Sequence, residues 1–286
     1  MSKTPLVTIA SLFYNTGPRI VETLNSLLSQ TYDNIQLIIL DDASSDNSVL
    51  IIEKWISDHN VQCQFIKHQQ NKGICSSLNE ILLVAKGEFI AFIGDDIMMQ
   101  DKIRNDVEFM IANPEFGFCH SNVLAYFLQS GKEVLLKGND SKNAFHDFFS
   151  WKMVIYSPTI FYRKNVFDEV GPYDESLSFE DYDMILRIAY QFKAGYRDET
   201  TIKYIITGKS ISVKKSDTIV EQSLKVTNKW KFLKNYSYYL SRRHLSLFYN
   251  LAQTQKLKAL KFVPRSLKFI SDKRLYSSIY RLIFKW

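Results

Sequence analysis

Two periods alternate along the first hundred residues. "LVTIASLFYN" (6–15) is a short apolar, β-rich run, and in "RIVETLNSLLSQ" (19–30) Ile20, Leu24, Leu27 and Leu28 recur at helical spacing. "IQLIIL" (35–40) is almost continuously apolar, the pattern of a strand buried on both faces of a parallel sheet. A second helix follows with Val49, Ile52, Trp55 and Ile56 on one face, then a strand at "VQCQFIKH" (61–68). A third helix at "CSSLNEILLVAK" (75–86) carries Leu78, Ile81, Leu82 and Ala85, and "EFIAFIG" (88–94) is the fourth strand. Strand and helix alternating this way predict an α/β fold, a doubly wound, mostly parallel sheet with right-handed crossovers. After Pro114 the pattern loosens, then sharpens again at "SPTIFYRKNVFDEVGPYDESLS" (157–178) and in "FEDYDMILRIAYQF" (179–192), helical after its carboxylates.

Ligands of open parallel sheets sit beyond the carboxyl ends of the strands. The second strand ends in "LDDASSDNS" (40–48) and the fourth in "GDDIMM" (94–99), so Asp41, Asp42, Asp95 and Asp96 are expected to converge on one crevice. Such a carboxylate group suits Mg²⁺ or Mn²⁺, hard cations that share their shell with substrate phosphates. A purely structural reading is open for each piece: Asp95 and Asp96 as caps of the helix in "MMQDKIRNDVEFMI", and Asp46 or Ser45 as a cap after the second strand. A third acidic group, Glu180, Asp181 and Asp183, precedes a helix, where negative charge favours the positive end of the dipole. A carboxylate that takes a proton from a hydroxyl is the functional alternative there.

These segments, in this order over roughly residues 5–215, resemble the family 2 glycosyltransferases, which share the GT-A fold. The resemblance implies an inverting enzyme that moves a sugar from a nucleotide-diphosphate donor, such as a UDP-sugar, to a hydroxyl of a glycan or lipid-linked glycan in surface polysaccharide synthesis. It assigns Leu12 and Tyr14 of the opening strand, Asp41 and Asp42 of the D-D turn, and Asn71, Gly73 and Asn79 of "NKGICSSLNEIL" (71–82) to the nucleotide. Tyr14 would stack on the base, Asp42 would meet it, and Asn79 would open a helix. Asp96, with Asp95, stands at the metal- and diphosphate-holding D-x-D. Asp181 of the "ED" pair, with Glu180 beside it, would be the catalytic base. Four positions depart from the pattern: Gly94 replaces the first D-x-D acid, Thr207 a His that precedes a Gly, Leu78 an Arg, and Ala43 a Gly. Two other readings are a synthase acting on a lipid phosphate and a nucleotide-sugar-binding protein with little activity.

Charge divides the chain. Residues 225–286 hold 15 Lys and Arg against one acidic residue, Asp272, for a net +14; with +6 overall, residues 1–224 carry −8. The expected organisation is a catalytic domain at 1–215 (donor half 1–100, acceptor half 101–215) and a basic, aromatic, helical extension at 216–286. In "KRLYSSIYRLIFKW" Leu275, Ile279, Leu282, Ile283 and Trp286 form one stripe flanked by Lys273, Arg274, Arg281 and Lys285. That suits an interfacial helix on an anionic membrane, or equally a helix packed on the catalytic domain. No nucleic-acid-reading motif is present. Cys63, Cys75 and Cys119 form no disulfide or zinc pattern, and the five histidines fall in no ligand spacing. The start has no separate h-region, and no stretch of about 18 apolar residues exists. A cytoplasmic protein, peripheral on the inner face of the plasma membrane, is expected.

Overall fold

The computed structural model describes residues 4–207 and 216–284. Contacts divide it into two compact units, Met1–Phe145 with Met153–Gly208, and His146–Lys152 with Lys209–Trp286. Of the residues discussed above, Lys285, Trp286 and the stretch 208–215 lie outside the described ones.

In the first unit the apolar runs form β1 (Val7–Phe13), β2 (Ile35–Asp41), β3 (Gln64–Lys67) and β4 (Phe89–Ile93). Between them lie α1 (Ile20–Leu28), α2 (Ser48–His59) and α3 (Ile74–Val84). The four strands are parallel in the order β3-β2-β1-β4. Register aligns their ends: Phe13 sits opposite Asp41, and Ser11 opposite Ile93. The segments after β1, β2 and β4 therefore leave from one edge. Ile9, Ile38, Ile39, Leu40, Phe89 and Ile90 are fully buried, as continuous apolar runs require. Each helix buries one stripe: Ile20, Leu24 and Leu27; Ile52 and Trp55; Leu78 and Ile81. Leu28, expected on the first of these, is exposed.

Beyond β4 the sheet is mixed. β5 (Ile97–Met98) precedes α4 (Lys102–Ala112), followed by β6 (Phe116–Phe127), β7 (Lys132–Leu136), α5 (Ala144–Phe149, most of it in the second unit) and β8 (Phe161–Arg163). α6 (Val166–Val170), α7 (Asp181–Gln191) and β9 (Lys193–Ile206) complete the unit. The order continues β4-β8-β6-β9-β5, with β7 also on β6; β6 and β9 are parallel, and the other pairings here are antiparallel. The mostly parallel sheet expected thus occupies the first 93 residues, where crossover helices separate the strands.

The second unit contains α8 (Ser216–Lys229), α9 (Tyr236–Thr254), α10 (Lys256–Ala259), α11 (Val263–Ser266) and α12 (Lys273–Phe284). Its core joins Leu245, Phe248 and Leu251 of α9 to Val220, Phe262 and Leu275. The stripe of α12 expected to meet lipid divides: Leu275 is buried and Ile279 and Leu282 pack on the same core, whereas Ile283 is exposed. Ile283 shares that exposure with Tyr276, Tyr280 and Phe284, each more than half exposed. Among the described residues no helix is long and apolar enough to cross a membrane.

Candidate active site

The turn after β2 is built by its own carboxylates. Asp41 accepts from the Ser44 backbone N–H (2.8 Å) and hydroxyl (2.6 Å), which curls the chain and leaves Ala43 at φ +60°. Asp42 accepts from the backbone N–H groups of Lys72 (2.8 Å) and Gly73 (2.9 Å), and His68 Nδ1 lies 2.7 Å from it. The Asn71 amide donates to the Asp42 carbonyl (3.1 Å). Asp42 is 3% exposed. The carboxylate ties the 68–73 loop to β2. Gly73 has φ +83°, a conformation natural to glycine, and its N–H points into that knot. His68, which sequence spacing passed over, also lies 3.0 Å from Glu80 through Nε2, and Lys72 holds Glu80 from the other side (2.8 Å). Those partners, Lys72 foremost, hold the Glu80 carboxyl below its usual range.

Tyr14, just past β1, is 53% exposed and free to present a flat face; Leu12, within β1, is part-buried. Asn79 does not open a helix. It lies within α3, and its amide donates to the Tyr173 carbonyl (3.0 Å) and Glu175 (2.9 Å) while accepting from the Tyr173 N–H (2.8 Å). Its hydrogen-bonding groups clamp the 173–175 segment. Leu78, where the resemblance expects an Arg, is core.

Asp95 and Asp96 do not cap a helix, because β5 intervenes and Asp101 holds the position before α4. Asp46 does accept from the N–H of Ser48, the first residue of α2 (2.9 Å). Asp95 pairs with Arg19 at 2.5 Å, a partner that sequence reading missed although it follows β1 by only a short turn. Asp96 is 5% exposed and accepts from the Ile205 N–H (2.8 Å). Burial, reinforced by the charge of Asp95, pushes its carboxyl up to about 7, against the pull of the Ile205 N–H and Arg19. A cavity of about 270 Å³ adjoins Asp95, lined also by Arg19, Glu22, Tyr126 and Lys203.

The acidic cluster of α7 separates by role. Asp183 is fully buried and pairs with Arg187 (2.9 Å), which also donates to the carbonyls of Val170, Gly171 and Pro172; it is a strut. Asp181 accepts from the Ser157 hydroxyl (2.6 Å) and the Tyr182 N–H (2.7 Å). Glu180 lies at the N-cap without a side-chain capping bond, and burial and then the charge of Asp181 raise its carboxyl above the usual range. Near the end of β9 the phenol of Tyr204 is raised by burial and then by the charges of Asp96, Asp181 and Asp95.

A part-exposed and a buried acid thus follow β4, an exposed tyrosine follows the neighbouring β1, and a further carboxylate opens α7. The family model described as "Glycosyl transferase family 2" matches residues 8–171. The chain belongs to glycosyl transferase family 2. The transferase is 33% identical over 223 residues to UDP-Glc:alpha-D-GlcNAc-diphosphoundecaprenol beta-1,3-glucosyltransferase WfaP of Escherichia coli, covering 76% of this chain and 84% of that one. Its fold is similar to that of S. aureus TarS 1-349 in complex with UDP-GlcNAc (TM-score 0.68, 17% identity, 97% of this chain and 81% of that one). It is also similar to mannosyltransferase PcManGT of Pyrobaculum calidifontis in complex with GDP-Man and Mn²⁺ (TM-score 0.64, 14% identity, 98% and 86%). The expected GT-A fold and glycosyltransferase class hold.

The transferase's own donors define what cation they suit. Asp95 and Asp96 offer hard oxygens, and a cation beside them would relieve the cost of the buried Asp96 charge. No group of three or more His, Cys, Asp or Glu placed to hold an ion occurs among the described residues. Two carboxylates fit a Mg²⁺- or Mn²⁺-like ion that completes its shell with phosphate and water, and do not fit one caged by protein alone.

Proposed function

We propose that this transferase moves a sugar from a UDP-sugar to a hydroxyl of a lipid-diphosphate-linked glycan, inverting the anomeric configuration, in surface polysaccharide synthesis. The observations that support it are the two acids that follow β4, Asp95 held by Arg19 and Asp96 by the Ile205 N–H, and Asp181 at the start of α7 with free acceptor sites on its carboxylate. The names of WfaP, which pairs UDP-Glc with a diphosphoundecaprenol acceptor, and of the UDP-GlcNAc complex of TarS support the substrate classes.

In this reading Tyr14 provides the surface on which the base stacks. Asp95 and Asp96 face the diphosphate, where a bound divalent cation would neutralise the charge of the leaving group. Asp181 takes the proton of the acceptor hydroxyl as its oxygen attacks the anomeric carbon. The new C–O bond forms as the bond to the diphosphate breaks on the opposite face, so one displacement inverts the centre. Raised affinity for a proton at Glu180 lets that neighbour be neutral, leaving the negative charge to Asp181. Residues 1–215 carry this chemistry, with 1–100 serving the donor and 101–215 the acceptor. The basic residues 216–286 rest on the anionic inner leaflet that holds the acceptor.

The test is mass detection of product from a panel of UDP-, GDP- and dTDP-sugars with GlcNAc-diphospho-lipid as acceptor, with and without Mn²⁺. Asp181→Asn should lower turnover by about 10²–10⁴-fold, the range of general-base catalysis, with UDP affinity kept. Near-normal transfer by Asp181→Asn, or loss of UDP affinity in step with activity, overturns the base assignment.

A further inference from the structure

The first unit buries an ionic cluster that the reaction above does not use. Lys102, the first residue of α4, is 1% exposed and pairs with Asp106, itself 1% exposed. Asp106 also pairs with Arg197, which reaches Glu199. Charges taken out of water cost several kcal/mol each unless paired and hydrogen-bonded, so this cluster must be closely organised. The cluster reaches a loop through the Lys102 ammonium, which donates to the Thr159 carbonyl at 2.9 Å.

Thr159 ends a single 3₁₀ turn, Ser157–Thr159, and that turn is held on every side. The Thr159 hydroxyl donates to the Tyr156 carbonyl (2.7 Å) and accepts from the Ser121 N–H of β6 (3.2 Å). Pro158 fixes a backbone angle in the middle of it. At the head of this turn the Ser157 hydroxyl donates to Asp181 at 2.6 Å.

We propose that Ser157, held by the buried Lys102–Asp106–Arg197 cluster, is the positioning residue that orients Asp181 and keeps it ionised. This rests on the reading of Asp181 as base. A hydroxyl donating to a carboxylate favours the ionised form, the form able to accept a proton. It also fixes the plane of the carboxylate. Ser157 takes one site on Oδ2 and the Tyr182 N–H one on Oδ1, so each oxygen keeps a site for the acceptor hydroxyl. The other titratable groups bearing on Asp181 work against its charge or leave it unchanged. Glu180 beside it on α7 is raised by burial and by the Asp181 charge and is held neutral, and the phenols of Tyr162 on β8 and Tyr204 on β9 are raised and stay neutral. Ser157 is the side-chain donor to Asp181, beside the backbone N–H of Tyr182.

The test needs no substrate. Full-length protein labelled with ¹³Cγ-aspartate is titrated by NMR, the Asp181 signal being assigned by its loss in Asp181→Asn. Ser157→Ala should raise the Asp181 midpoint by about one pH unit, a tenfold change in proton affinity, as loss of one charged hydrogen bond implies. Ser157→Thr, which keeps the hydroxyl, should restore it; Ser157→Cys, nearly isosteric with a weak donor, should behave like Ala and serves if the Ala variant does not fold. With the acceptor pair above, Ser157→Ala should lower kcat about 10–100-fold, move the acid limb upward and leave the KM for donor unchanged. An Asp181 midpoint unmoved in folded Ser157→Ala or Ser157→Cys, or no recovery in Ser157→Thr, overturns the proposal. If the midpoint moves while Asp181→Asn still transfers normally, the orientation of Asp181 stands and its role as base falls.

Discussion

His120, on β6, is 1% exposed, and no described protein group hydrogen-bonds either ring nitrogen. Its ring lies 5.2 Å from that of Tyr196 and against Gly138, where an added Cβ would stand 3.1 Å from the imidazole. Burial without a partner disfavours the imidazolium and lowers the pKa from 6.5 to about 4. In the unfolded chain the group protonates near 6.5, so between these values the unfolded state binds more protons, and stability must rise with pH across that window. The contribution is complete above 6.5 and is lost as pH falls through the window. The full 2.5-unit difference corresponds to about 3 kcal/mol, of which about 2 kcal/mol is already lost at pH 5. His120→Leu removes the titration with little change of volume. Comparing amide exchange at β6, which reports the first unit, wild type should lose about 2 kcal/mol more than His120→Leu between pH 7.5 and 5. The other carboxylates and His244, also lowered to about 4, contribute to both proteins and cancel. Parallel pH profiles for the two proteins would show that the buried imidazole carries no such penalty.

Ala43→Gly should stabilise the first unit by about 0.5–1 kcal/mol in urea unfolding, the relief of a left-handed alanine less the added freedom of glycine when unfolded; a loss of stability refutes the strain argument. Asn79→Ala frees the 173–175 segment, so turnover should fall roughly tenfold while calorimetric UDP affinity stays unchanged; parallel loss of both assigns Asn79 to the nucleotide. Mn²⁺ titrated calorimetrically should bind weakly to free protein and at least tenfold tighter with UDP present; equal tight binding shows a complete protein cage. Full-length protein should float with phosphatidylglycerol vesicles and not with phosphatidylcholine alone, and Tyr280→Glu with Phe284→Glu should abolish flotation; unchanged flotation places the contact elsewhere.

The parallel half of the sheet was legible because each strand is a continuous apolar run and each crossover has its own helical period. The mixed half was not, since β6 and β9 pair across some eighty residues and nothing local encodes that partner. The acids of the site were legible as positions and illegible as roles. Asp42 and Asp46 look alike in a turn, yet one ties a loop 30 residues away and the other meets its own helix. Asp181 and Asp183 are two residues apart, but only Arg187 and three distant carbonyls mark the second as a strut. On α12 the apolar residues cover two faces, and the period alone could not say which one the α9 core would take.

The clamp formed by Asn79 with Tyr173 and Glu175, joined by Cys75 donating to the Leu177 carbonyl (3.3 Å), bears on how such enzymes can be recombined. A chimera joined near residue 100 would set α3 of one parent against the 170–177 segment of another. That segment runs directly into Glu180 and Asp181, so mismatched seams would be felt at the start of α7, where the proposed base lies. Exchanges meant to transfer acceptor preference should therefore carry α3 with the acceptor half, cutting ahead of Ile74, or else transplant Cys75 and Asn79 along with 170–177.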